Sequence, residues 1–354
     1  MNPVERGGPE FPPCGYGLLG LCCFDCLRGP CRISPFDKTQ TLCGAEGDWL
    51  VAGNLCRLAA EEFVLSLRSF TQTVDQFRKR RQSSGTGAPC KALTEKLALK
   101  YGIPREGLIP FFEQEMIDLL NPLADPPARI LSSFFAQRPF PPGHSKRPWG
   151  SPWSELFALA GWKEHEKGDP ESLLWQCLNC AAGMLRIEEF AQDIGSILPL
   201  PFSGADQKKD GEKSAADISN DPHPMVISLV EAEHPRSAEM QRLAAALKEI
   251  PEVLFIPIRG TQGLIFVCSA IQEKLNRRLS DLPLAVLVES PNIAPILASL
   301  ALGLPTVSNP SLPIHGSQKV EDFFYSGLSK EMGNFYLPVK DETALSRLRR
   351  VLGV

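Results

Sequence analysis

Long apolar runs, basic charge and histidine are all in short supply in this sequence, and each shortage removes a class of function. The longest apolar stretch, residues 293–307, is broken by Pro295 and Pro305 and is too short to span a bilayer. The formal net charge is −4, from 37 basic and 41 acidic residues, without the basic footprint of a nucleic-acid binder. No apolar signal segment follows Met1, so the cysteines are expected in a reducing cytoplasm and not in a secreted disulfide framework. The five histidines (His144, His165, His223, His234 and His315) do not cluster with cysteines. What remains is a soluble globular composition, 43% hydrophobic and 22% charged, with 354 residues to build two domains of ordinary size.

Cysteine is abundant in one place. Cys14, Cys22, Cys23, Cys26, Cys31 and Cys43 are six of the eleven in the chain. Gly15, Gly17, Gly20, Gly29 and Pro30 lie among them, so the backbone must wind tightly here. Thiolates at short, uneven spacings in a glycine-rich loop are what an iron–sulfur cluster needs. Four sulfurs must converge on it from several directions, and bulky side chains would obstruct the wrap. A structural zinc site usually shows two C-x2-C pairs with a modest spacer. Here Cys23 and Cys26 form one pair, and the next, Cys177 and Cys180, is far away. Thioredoxin-type chemistry places its pair on a strand-to-helix turn, and no strand is expected before this one. Gly15, Gly17 and Gly20 also spell G-x-G-x-x-G, but without a preceding strand or a crossover helix dinucleotide binding is not expected.

Taken in order, residues 1–13 read as a proline-containing extended arm, and the cluster loops run to about Gly44. From Asp48 an apolar periodicity (Trp49, Val51, Ala52, Leu55, Leu58, Ala59, Phe63, Leu67) predicts a long helix beneath the cluster, with Cys56 packed in its core. The basic stretch 78–87 reads as a solvated linker between helices. Helices are expected at 93–101, 111–120, 126–134, 153–160 and 171–198, with a proline-rich loop over 138–152. On the last helix Cys177 and Cys180 share a face and could ligate a metal, although packing is the plainer role.

Residues 203–224 are polar and read as a linker, dividing a helical iron–sulfur domain (1–202) from a Rossmann-like α/β domain (225–354). In the latter, strands at 225–230, 253–256 and 284–288 alternate with helices at 237–249, 264–279 and 293–302, which argues for a parallel sheet. No phosphate-binding glycine signature opens any of these helices.

The run Cys-Gly-x-Gly-x-x-Gly-x-Cys-Cys-x-x-Cys-x-x-Gly-Pro-Cys-Arg-Ile, followed by Cys43-Gly-Ala, Asp48 and Asn54-Leu55, resembles the N-terminus of the anaerobic nickel–iron–sulfur carbon monoxide dehydrogenases. Asp281-Leu-Pro283, Leu312-Pro-Ile-His-Gly316-Ser, Lys319-Val and the closing Arg-Arg-Val-Leu-Gly resemble that family's last domain. The resemblance implies that Cys23, Cys26, Cys31 and Cys43 hold a [4Fe–4S] cluster within the subunit. It also implies that Cys14 and Cys22 hold half of a cluster shared across a homodimer, of either [4Fe–4S] or [2Fe–2S] type. Arg28 and Arg32 would sit beside the ligands, raising the cluster potential or making ordinary loop salt bridges.

The chain is little more than half the family's length, and the polar linker stands where the family's middle part would be. The family holds its nickel cluster with one histidine and five cysteines, most of them in that middle part. The family's Gly-Ser-Cys ligand motif aligns with Arg259-Gly260-Thr261, where a hydroxyl replaces the soft thiolate. Cys268 does not restore it. Ser66 and Ser69 occupy the places expected for a proton-shuttling imidazole, and a lysine expected near residues 291–293 is absent. The resemblance therefore implies an iron–sulfur electron-transfer or redox-scaffold protein, in which nickel and catalysis are not expected. The alternatives are a reduced-size dehydrogenase that oxidises CO to CO2 with ferredoxin as acceptor, or a subunit that pairs with a full-length dehydrogenase. The enzymatic alternative requires Cys177, Cys180 and Cys268 to converge with a histidine.

Overall fold

The computed structural model describes residues 15–23, 31–34, 40–82, 91–121, 128–131, 152–160, 169–197, 223–230, 237–309, 311–328 and 332–354. The arm at 1–13, most of the loop at 138–152, all of the linker but residues 223–224, and His144, His165 and His234 lie outside them. The helix expected at 126–134 is described only at 128–131.

A one-turn helix α1 (Gly15–Leu18) leads into a short antiparallel hairpin, β1 (Cys22–Cys23) and β2 (Cys31–Arg32). Next comes α2 (Gly47–Gln82), whose 36 residues run about 54 Å at 1.5 Å per residue. Its first turns are buried all round, from Leu50 to Cys56. Farther on only one stripe is buried (Phe63, Leu67, Phe70, Val74, Phe77), at alternating spacings of four and three. The basic residues expected in a linker belong instead to this helix as far as Gln82. Lys79, Arg80 and Arg81 lie in its last turn, where cations favour the exposed carbonyl end. Residues 83–87 of that expected linker lie outside the described residues.

Then follow α3 (Lys91–Tyr101), α4 (Leu108–Leu120), α5 (Pro152–Ala160) and α6 (Pro170–Ile197). The apolar face of α6 packs along α2.

The second half is β3 (Met225–Val230), α7 (Ala238–Lys248), β4 (Leu254–Arg259), α8 (Gly260–Leu275), β5 (Leu284–Glu289), α9 (Ala294–Ala301), β6 (Thr306–Asn309), α10 (Gln318–Asp322), β7 (Tyr336–Pro338) and α11 (Ala344–Leu352). The strands form one parallel sheet in the order β4-β3-β5-β6-β7, a doubly wound arrangement that reverses direction between β3 and β5.

β6 and β7 escape sequence reading because they are short and carry Thr306, Ser308, Tyr336 and Pro338. The structure satisfies the polar groups internally: Ser308 Oγ lies 3.0 Å from the Tyr336 hydroxyl, and Thr306 Oγ1 lies 2.9 Å from Ser299 Oγ. The helix expected at 264–279 begins earlier, at Gly260, and ends at Leu275. Gly260, at φ 63°, swings the chain straight out of β4, and Asn276, at φ 49°, ends the helix.

Strand alternation divides the sheet between two cores. Val226, Ala285, Leu287 and Val307 face α7 and α11, whereas Ile227, Leu229, Val286 and Val288 join the large core that also contains α2 and α6. The helical and α/β parts thus share one continuous apolar interior.

The α2–α6 interface carries a half-buried acid, Glu188. Burial pushes Glu188 up to about 7, against a partial offset from a hydrogen bond with Ser66, and its Oε2 has no partner among the described residues. The folded pKa exceeds the unfolded value of 4.5, so protonated Glu188 favours the fold. That contribution is whole below pH 4.5 and is lost as pH rises through about 7. Glu188→Gln is therefore expected to raise the thermal midpoint at pH 8 and leave it nearly unchanged at pH 4, as melting across a pH series would show.

Candidate metal centre

The cysteine hairpin starts from a tight helix stop. The Leu21 amide donates to Tyr16 O at 2.8 Å and the Gly20 amide to Gly17 O at 3.1 Å, with Gly20 at φ 75°. This pair of bonds around a left-handed glycine turns the chain out of α1 and into β1. There Cys22 faces Arg32 and Cys23 faces Cys31, and the Ile33 amide extends the ladder to Leu21 O at 3.0 Å.

Successive strand residues point to opposite faces, so Cys23 and Cys31 share one side as a cross-strand pair. They are 1% and 4% exposed, whereas Arg32 is exposed. Cys22, on the other side, is also buried. Cys43 is exposed on the turn that precedes α2, with its Sγ 3.1 Å from Thr41 Oγ1. Thr41 Oγ1 in turn accepts the Ala45 amide at 3.0 Å.

Cys14, Cys26 and Arg28 lie outside the described residues. Of the six expected ligands, the structure sets Cys23 and Cys31 opposite one another across the hairpin. No three histidine, cysteine, aspartate or glutamate side chains among the described residues form a group able to hold a metal ion. In donor type, and in the pairing of Cys23 with Cys31, the residues present fit a thiolate-held cluster.

A hairpin with two residues in each strand cannot hold itself together in water. Asn54, buried in the second turn of α2, supplies the missing support: its Nδ2 donates to Gly20 O at 2.8 Å and to Cys22 O at 2.7 Å. One amide thus satisfies two carbonyls that bracket the start of β1. In the sequence Asn54 appeared only as part of the family motif, and nothing local disclosed its partners.

The remaining described cysteines form a different environment. Cys56 of α2 donates to Leu173 O at 3.6 Å and also meets Cys177 and Cys180 of α6, all three buried. Burial, and secondarily Cys177, hold the Cys56 thiol well above the ordinary cysteine range, so it stays protonated at neutral pH. Cys268 on α8 is likewise pushed up to about 12, by burial alone. Cys56 thus joins the Cys177–Cys180 pair, and its setting is that of core packing. Thr261 lies in the first turn of α8.

Carboxyl groups occupy two helix starts at the C-terminal ends of β3 and β5. Glu62 of α2 accepts the Ile293 amide at 2.9 Å and the Ala294 amide at 2.5 Å, capping α9. Buried Glu289 at the end of β5 accepts the Ser237 amide that opens α7. Helix starts are where anions such as phosphates bind, and at these two a carboxyl group of the chain already accepts from the opening amides. Ser66 lies one turn beyond Glu62, beside Glu188.

No protein-family model matches the chain. A segment is 36% identical over 107 residues to carbon monoxide dehydrogenase 1 of Methanosarcina mazei, covering 29% of this chain and 17% of that protein. The carbon monoxide dehydrogenase of Rhodospirillum rubrum is 51% identical over 58 residues, 16% of this chain and 9% of that one. The sequence match thus spans under a fifth of the relatives' length. A nickel-free crystal structure of carbon monoxide dehydrogenase from Thermococcus sp. AM4 superposes with a TM-score of 0.73 at 14% identity, over 96% of this chain and 92% of that one. An acetyl-CoA synthase/carbon monoxide dehydrogenase with NiZn[Fe4S4] and NiNi[Fe4S4] clusters in its α subunits gives 0.70 at 10% identity, over 96% and 88%. These structures share the fold.

Asn54→Ala is expected to lower the unfolding free energy by about 2–4 kcal/mol, because two buried carbonyls lose their donor. Asn54→Asp, which sets carboxylate oxygens against those carbonyls, should cost more. Urea unfolding of both variants measures the order.

Proposed function

The chain is a homologue of the carbon monoxide dehydrogenases over part of their length, and on that premise we infer that it is an iron–sulfur electron-transfer or scaffold protein. In this reading Cys23, Cys26, Cys31 and Cys43 hold one [4Fe–4S] cluster. Cys14 and Cys22 of two copies share another, of [4Fe–4S] or [2Fe–2S] type, making a homodimer. The division into units 1–202 and 225–354, joined by the polar segment between them, belongs to the same proposal, as does an anaerobic, cytoplasmic setting. Among the described residues no helix is long and apolar enough to cross a membrane.

The observation that carries this reading is the buried Cys23–Cys31 pair, held against α2 by Asn54. A bound cluster would supply one-electron transfer. The protein's own residues would fix the thiolates on one face of the hairpin and keep water from Cys23 and Cys31. A ferredoxin-like protein or a full-length dehydrogenase subunit is the proposed redox partner.

The competing reading, oxidation of CO by this chain itself, is favoured by the names of its relatives. Against it stands the residue chemistry: Thr261 stands where the family's ligand motif has a cysteine, and a hydroxyl is a poor ligand for soft metals.

Protein purified without oxygen is expected to contain about six irons per chain in a dimer, one private cube plus half of a shared one, without stoichiometric nickel. Stoichiometric nickel with CO-dependent dye reduction would overturn the electron-carrier reading. Thiol alkylation read by mass spectrometry gives an independent check. Exposed Cys43 should react quickly in cluster-free protein and be protected when the cluster is loaded, whereas Cys56 and Cys268 should react only on unfolding.

A further inference from the structure

The two ends of the chain meet at the candidate centre. A Cβ built on Gly20 would lie 2.5 Å from the Pro313 carbonyl oxygen, and one built on Gly316 would lie 2.2 Å from Leu19 O and 2.6 Å from Leu21 Cγ. The oxygens are backbone atoms, which cannot swing aside as the end of a long side chain could. At these two glycines the loop before α10 touches the turn before β1 backbone to backbone.

Beside this contact, Ser317 caps α10 by accepting the Val320 amide at 3.1 Å. The same hydroxyl donates to Asp48 Oδ1 at 2.7 Å, across 269 residues of sequence. The other oxygen of Asp48 lies 3.1 Å from Lys319 Nζ. Asp48 stands in the first turn of α2, the helix that also presents Asn54. Leu21, Leu312 and Ile314 are buried beneath.

We propose that residues 312–319 act as a latch on the cysteine hairpin. Their docking through Gly316, Ser317 and Lys319 onto Leu19–Leu21 and Asp48 governs how firmly a cluster at Cys23 and Cys31 is retained. The inference rests on the iron–sulfur reading above and extends it to the far end of the chain.

Its physical basis is that the hairpin's own ladder is too short to be stable. Asn54 ties its carbonyls, and the Pro313–Gly316 loop packs against the turn leading into it. The hydrogen bond from Ser317 to the Asp48 carboxylate is charge-assisted and stronger than a neutral one. If the latch opens, Gly20 and Leu21 lose their outer wall, the β1 thiolate can leave its iron, and solvent can take its place.

The test uses the full chain loaded anaerobically, with two readouts: the rate at which an iron(II) chelator strips its iron, and hydrogen exchange of residues 15–23. Ser317→Ala and Asp48→Ala should release iron at least about tenfold faster, the scale of one lost charge-assisted hydrogen bond, and exchange faster at 15–23. Gly316→Ala should exceed both. If it fails to fold, the two milder variants decide alone. Arg242→Ala on α7, which removes an exposed side chain 4.0 Å from Glu239, should match wild type.

Wild-type iron release in both Ser317→Ala and Asp48→Ala would overturn the latch while leaving the iron–sulfur reading intact. A wild-type chain that takes up no iron would overturn that reading, and the latch with it.

Discussion

The buried amide of Asn54 is the contact on which the candidate centre depends. Carbonyl oxygens sealed from water must find donors, and two of them, on Gly20 and Cys22, find the same one. The hairpin could not exist as an isolated unit, because its strands offer too few bonds and too little apolar area to repay the ordering of the chain. It persists because α2 is buried on all sides in its first turns, and so presents Asn54 from a rigid wall.

The same helix ties the centre to the α/β part. Along α2, Asp48 meets Ser317 and Lys319, Asn54 meets the hairpin, Cys56 meets α6, and Glu62 caps α9. Each contact joins segments distant in sequence, and together they fix the sheet against the helices through a shared core. That arrangement also decides the electrostatics at the C-terminal end of the sheet. The starts of α7 and α9 face carboxylates, so the amides that could have gathered an anionic ligand are already bonded within the chain.

Cysteine takes two characters here. Cys23 and Cys31 face one another across a hairpin of polar backbone, the setting in which a cluster could be wrapped. Cys56, Cys177 and Cys180 face one another between two helices with apolar surroundings, and burial keeps the Cys56 proton in place. The number of neighbouring thiols is similar. What separates the two sets is the backbone that carries them, facing strands of a hairpin in one case and two packed helices in the other.

The sequence by itself determined the local elements that have strong periodicity or strong composition. The stripe from Trp49 to Leu67 marked α2, the β-branched run Met225–Val230 marked β3, and the density of cysteine and glycine between positions 14 and 43 marked the candidate centre. These signals were legible because periodicity and spacing are properties of neighbouring residues.

Tertiary structure alone decided the rest. β6 and β7 are strands because neighbouring strands supply their hydrogen bonds and Ser308 and Tyr336 satisfy each other, not because their residues favour extension. The basic residues after Phe77 stayed helical because α2 was already nucleated and their charge suits its carbonyl end. The joining of Cys56 to Cys177, of Glu62 to α9 and of Gly316 to Leu19 depends on contacts between remote segments, and no pattern within either segment encodes its partner.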